Sequence, residues 1–160
     1  MNALERRSRR RRPGLERSRL ASLLGEEGAA KYLGVEFVEL KPERLVATMP
    51  IDGRHLQPFG YLHEGANIVL AGSVANIGAL LNCPPGKGAL GSEVNASYLT
   101  PKRAGGSLRA VGTPVHVGRK SQVWEVKIEG EDGEPVCVSR CSVTIVDLEA
   151  TSPHPCATSP

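Results

Sequence analysis

The run from Ala66 to Leu81 places aliphatic or small residues on nearly every face of a 3.6-residue helix, among them Ile68, Val69, Leu70, Val74, Ile77 and Leu80. A helix that is apolar all round is buried all round. The spacing therefore predicts a long central helix over Ala66–Leu81, which the rest of the chain has to cover. A bilayer span needs about 20 clean apolar residues. Glu64, Asn67, Ser73 and Asn76 interrupt this stretch, so a buried core helix is the expectation and no membrane partner is implied.

The 160 residues suffice for one domain with a sizeable core. The formal charge of +3 hides a segregation. Residues 1–19 hold eight arginines against two glutamates, which leaves the remainder at −3. Residues 1–14 read as a disordered basic arm ending at Pro13-Gly14. Its chemistry suits nucleic acid or anionic lipid, but no aromatics are interleaved to stack bases, which favours a solvated tail. A mitochondrial presequence is opposed by Glu5 and Glu16. Cys83, Cys137, Cys141 and Cys156 have neither the CxxC spacing nor the histidine partners of a zinc site. They read as thiols of a reducing compartment, and a cytoplasmic location is expected.

Around the helix the apolar period changes to two. After a short helix expected within Leu15–Tyr32, Leu33–Leu40 and Arg44–Pro50 alternate like paired strands, turning at Lys41-Pro42-Glu43. Four more strand-like runs follow the helix: Ala89–Thr100, Ser107–Val117, Ser121–Glu129 and Pro135–Asp147. In the third, Trp124, Val126 and Ile128 share one face, while Glu125, Lys127 and Glu129 share the other, as in an antiparallel sheet wet on one side. Gly86-Lys87-Gly88-Ala89-Leu90-Gly91 matches GxGxxG, but it follows a helix and opens a strand, the reverse of a dinucleotide fingerprint. The pattern is α+β, a curved sheet rolled around its own helix over residues 15–147. Residues 148–160 read as a disordered tail.

Gln57-Pro-Phe-Gly-Tyr-Leu-His63-Glu64-Gly65-Ala66, running into the apolar helix, resembles the hotdog-fold thioesterases of the 4-hydroxybenzoyl-CoA and phenylacetate-pathway type. Gly91-Ser-Glu-Val-Asn95-Ala-Ser-Tyr98-Leu-Thr-Pro101, Val115-His116-Val-Gly118-Arg119-Lys120 and Gln122-Val-Trp124 are similar to the same family in the same order. The likeness covers roughly residues 32–147. It implies a hotdog fold, a homodimer or a dimer of dimers (a homotetramer), and an acyl-CoA bound between subunits and hydrolysed to free acid and CoA. Coenzyme A is then part of the substrate, and no separate cofactor or metal is implied.

The resemblance also assigns roles. The residue after His63, normally glycine and here Glu64, supplies a backbone N–H at a helix N-terminus, where the partial positive charge suits a developing oxyanion. Gln57 donates its side-chain amide to the same carbonyl, and His63 fixes the loop. Gly118, Arg119 and Lys120, with His116, match a segment at the CoA end, where phosphates want cationic partners; Lys102 and Arg103 are weaker candidates. One departure is decisive. The family's helix carboxylate, about nine residues beyond the histidine, falls on Gly72, and Asn76 stands where the family keeps Ser or Thr. Glu64 lies eight residues from Gly72, about 12 Å along a helix axis, so within one subunit it cannot take over that geometry, and a site between subunits leaves open the partner's Glu64, which no spacing argument requires. Two expectations stand side by side: a thioesterase with altered chemistry, and an acyl-CoA-binding protein without turnover.

Overall fold

The computed structural model describes residues 28–148. A one-turn helix α1 (Ala29–Tyr32) leads into β1 (Glu36–Lys41) and β2 (Arg44–Pro50). Then come a 3-10 turn (Gly53–His55), the long helix α2 (Glu64–Leu81), and β3 (Lys87–Tyr98), β4 (Ser107–Val117), β5 (Ser121–Gly130) and β6 (Pro135–Asp147). The expected arm over residues 1–14, most of the helix expected within Leu15–Tyr32, and all but Leu148 of the C-terminal tail lie outside the described residues.

All six strands form one antiparallel sheet in the order β1-β2-β4-β5-β6-β3, and α2 packs across its inner face. The alternation in β5 puts Trp124, Val126 and Ile128 fully into the core, beside Leu45, Met49, Leu70, Val74 and Leu108. Helix and sheet approach so closely that glycine is required at two contact points. A Cβ on Gly78 of α2 would meet the Trp124 indole at 2.6–2.8 Å, and one on Gly112 of β4 would overlap Val74. The buried polar groups beside this contact are paired. The Trp124 indole N–H donates to Gln122 Oε1 (3.1 Å), and Gln122 Nε2 donates to the Ala79 carbonyl (3.1 Å). These two bonds tie β5 to the last turns of α2.

The expectation that α2 is buried on every side is corrected. Ala66, Leu70, Ala71, Val74, Ala75, Gly78 and Ala79 are buried, but Ile68, Val69, Gly72, Ser73 and Asn76 on the opposite face are only half-buried. Six strands wrap the sheet-facing side, and nothing within the described chain covers the rest. By length and composition α2 would pass for a membrane span, but its place here is the hydrophobic centre of the sheet.

The same open side includes β3, which stands at the end of the strand order and is the longer of the two edge strands. From Leu90 to Asn95 every residue is exposed, and Leu90, Val94, Tyr98 and the following Leu99 leave apolar surface uncovered.

Candidate active site

The loop before α2 is fixed from below by a buried histidine. His55 Nδ1 accepts the Asp52 backbone N–H (3.1 Å), so its Nε2–H donates to the Leu33 carbonyl (2.8 Å), and its own carbonyl accepts from the His63 N–H (2.7 Å). Residues 57–60 then form a tight turn. The Gly60 N–H donates to the Gln57 carbonyl (2.9 Å) and Gly60 takes a φ of +80°, a conformation natural to glycine. Leu62 is tethered to the far loop by its N–H to the Lys102 carbonyl (2.7 Å).

His63 is the N-cap of α2. Its Nδ1 accepts the Gly65 N–H at 2.9 Å and its carbonyl accepts the Ala66 N–H at 3.0 Å. A side chain at position 65 would press on the imidazole, since a Cβ there lies 3.1 Å from Nδ1. Gly65 thus spends its N–H on the cap. The Glu64 N–H has no acceptor among the described residues and is the free donor at the positive end of an 18-residue helix.

Beside that donor lies a cleft of about 400 Å³, within the range of small-molecule sites. Gln57, Glu64 and Asn67 form its polar wall, and Leu62, Tyr98 and Leu99 form much of its apolar one. Gln57 Oε1 accepts the Phe59 N–H, which turns the amide so that the two Nε2 donors have no acceptor among the described residues. Burial pushes the Tyr98 hydroxyl pKa up, with Cys137 and then Glu64 adding to the effect, so the phenol keeps its proton. Lys102 also reaches the cleft, but its Nζ is held by Glu134 (2.8 Å) and Asp132 (3.3 Å), which raises its pKa and spends its charge. Arg103 stacks 4.2 Å over the Tyr61 ring and donates to its hydroxyl (2.8 Å).

The chain thus brings Gln57, His63, Glu64 and Gly65 together, and it keeps the other sequence-derived residues elsewhere. Gly72 and Asn76 lie further along α2 and do not line the cleft. A Cβ on Gly72 would meet nothing within 4 Å, and Asn76 Oδ1 is buried against β3 at Gly91 without a partner. His116, Gly118, Arg119 and Lys120 form the β4–β5 hairpin, beside the C-terminal end of α2 that Gln122 grips. The length of α2, about 27 Å, separates them from their own cleft. Arg119 and Lys120 are exposed and make no ion pair among the described residues. The sequence reading missed the cleft wall of Asn67, Tyr98 and Leu99; Asn67 looked like a mere interruption of the apolar run.

Six antiparallel strands packed around one helix, with a donor-lined cleft at that helix's N-terminus, are the architecture of a hotdog fold. Residues 59–137 match the family model described as the thioesterase superfamily. The chain is 36% identical over 118 residues to the 1,4-dihydroxy-2-naphthoyl-CoA hydrolase of Listeria monocytogenes, covering 74% of this chain and 95% of that protein. It is 39% identical over 116 residues to a proofreading thioesterase of Cronobacter turicensis, with 72% and 84% covered. A crystal structure of a thioesterase from Haemophilus influenzae superposes with a TM-score of 0.77 at 33% identity, covering 88% of this chain and 98% of that one. The chain belongs to the thioesterase superfamily and is a thioester hydrolase by descent, with a hotdog fold.

Proposed function

We propose that the protein hydrolyses an aryl- or medium-chain acyl-CoA to free acid and CoA, in a site that two copies of the chain complete. The observation that carries this reading is the pair of unused donors, the Glu64 N–H and Gln57 Nε2, beside one mostly apolar cleft. Two such donors polarise a thioester carbonyl and stabilise the oxyanion that forms when water adds to its carbon. Collapse of that intermediate breaks the C–S bond and releases CoA as a thiolate, which takes up a proton. Glu64 is the one carboxylate lining the cleft among the described residues, and it is the base this reading offers for the attacking water.

A second copy supplies what one chain lacks. An exposed, apolar edge strand such as β3 is a template for pairing. Two-fold, antiparallel pairing of β3 with itself reverses one α2 against the other. That arrangement sets the partner's Arg119 and Lys120 beside this chain's cleft, where the CoA phosphates would emerge.

Gly72 favours a second reading, an acyl-CoA-binding protein without turnover. A thiol-release assay over aryl- and alkyl-CoA thioesters separates the two: binding with no release supports the second and overturns the first. With turnover in hand, Glu64→Gln should slow release on the order of a hundredfold if Glu64 is the base; an unchanged rate removes it from the mechanism. Gly72→Glu projects a carboxylate into open space and should raise the rate. No gain would count against a site that two copies complete, in which the second copy's α2 brings this face to the cleft.

A further inference from the structure

The two carbonyl donors, Gln57 Nε2 and the Glu64 N–H, hang from one small hairpin. Its arms, residues 55–57 and 61–63, are laced by the His63 N–H to the His55 carbonyl (2.7 Å), the Gln57 N–H to the Tyr61 carbonyl (2.8 Å) and a bridge of Leu56 with Leu62. One arm ends on Gln57. The other ends on His63, whose carbonyl shares a peptide plane with the Glu64 N–H. His63 is held on both sides: its carbonyl by the Ala66 N–H (3.0 Å) from within α2, and its N–H by His55 from outside the helix. His55 stands at the open end of this hairpin and is 1% exposed. The two edges of its ring have different partners. Nδ1 faces Asp52 and takes its backbone N–H (3.1 Å), completing a capping box in which Asp52 Oδ1 accepts the Arg54 N–H (3.0 Å). Nε2 faces the Leu33 carbonyl (2.8 Å), just before β1.

We propose that His55 is a positioning residue: through its Nδ1 edge it sets the spacing of the Gln57 and Glu64 donors around the reacting carbonyl, whereas its Nε2 edge serves stability. This deepens the acyl-CoA reading and rests on it. The box fixes the His55 backbone and so the direction of the carbonyl that His63 hangs on. The Nε2 bond only joins the hairpin to the segment before β1, and Arg54 ties the same segment a second time through the Tyr32 carbonyl. Donors aimed at an oxyanion act in the transition state, so their misplacement falls on kcat more than on KM.

Two substitutions separate the edges. His55→Asn keeps an acceptor where Nδ1 stands and loses the reach to Leu33, whereas His55→Gln reaches Leu33 and leaves the Asp52 N–H unpaired. A displacement of ~1 Å can cost on the order of a hundredfold in rate. In the thiol-release assay His55→Gln should therefore lower kcat about tenfold or more, with KM within about twofold. His55→Asn should keep kcat within about threefold although its Tm falls. Equal losses in the two variants, or no loss in His55→Gln, overturn the proposal. Exposed positions give the same test without touching the core. Asp52→Ala opens the box and should lower kcat about threefold or more, while Arg54→Ala cuts the Tyr32 tether and should leave kcat unchanged. An unchanged kcat in Asp52→Ala overturns the proposal even if neither histidine variant folds. The Glu64 amide resonance, followed by NMR as uncleavable S-phenacyl-CoA is added, separates this proposal from hydrolysis, because the ketone stands in for the thioester carbonyl. Its shift should persist in His55→Asn and shrink in His55→Gln. That pattern without thiol release sinks hydrolysis and keeps His55 in its role, whereas release at one rate in both variants and the unaltered protein does the reverse.

Discussion

Two glycines on α2 should respond oppositely to the same substitution. At Gly78 an added methyl would lie 2.6 Å from Trp124 Cη2, 2.7 Å from Cζ3 and 2.8 Å from Cζ2. Carbon contacts settle near 3.5–4.0 Å, so helix and indole must part by about 1 Å. The indole has nowhere to go, because Trp124 is fully buried and its N–H is held by Gln122. Overpacking of this kind costs about 1–3 kcal/mol, offset by up to about 1 kcal/mol of helix propensity gained over glycine. Gly78→Ala should therefore lose about 1–2 kcal/mol net, a fall in Tm of roughly 3–8 °C for a domain of this size. At Gly72 the methyl meets nothing within 4 Å. Only the propensity gain remains, and Gly72→Ala should add up to about 1 kcal/mol. Urea unfolding followed by tryptophan fluorescence, with scanning calorimetry, measures both. Equal effects of one sign at the two sites would refute the reasoning. Destabilisation by Gly72→Ala would mean that another surface packs on that face.

Three more outcomes are expected. Gln57→Ala should lower kcat/KM about a hundredfold in the thiol-release assay, because it removes a donor to the thioester carbonyl, while Tm falls little, since the one other bond lost comes from the exposed Phe59 N–H. Removing Arg119 and Lys120 together should weaken CoA binding and flatten its dependence on salt, read by calorimetry at two ionic strengths, with kcat little altered. Burial pushes the Cys137 thiol up to about 11 from an ordinary 9.0. A raised value means that its contribution to stability is whole below about pH 9 and is lost as pH climbs toward 11, which urea unfolding across that range should show. Cys137 and Cys141 should accordingly resist alkylation at pH 8 until the protein is unfolded.

Much of the fold was legible because its punctuation is local. Strands Ser107–Val117 and Pro135–Asp147 carry the bounds read from the sequence, since glycine, proline and acidic turn residues bracket them. Gly133 takes a positive φ, +78°, in the acidic turn between β5 and β6. The helix begins at Glu64, two residues before its apolar run, because His63 caps a polar first turn that a hydrophobic count overlooks. Hydrophobicity also could not separate the face of α2 that meets the sheet from the face left half-open. The Gln57–Gly65 segment is contiguous and was found intact. The hairpin of Arg119 was referred to the same site by resemblance, although its distance from the cleft depends on the three-dimensional path of β4 and β5. Lys102 looked like a spare cation only because its partners, Asp132 and Glu134, stand some 30 residues away.

The separation of cleft and basic hairpin along α2 carries a genetic consequence. If each reaction centre borrows its phosphate grip from the neighbouring molecule, two differently crippled alleles can rescue one another. A chain with Gln57→Ala, mixed with one lacking Arg119 and Lys120, would assemble hybrids in which one of the two centres is entirely wild type, and kcat/KM of the mixture would rise above that of either preparation alone.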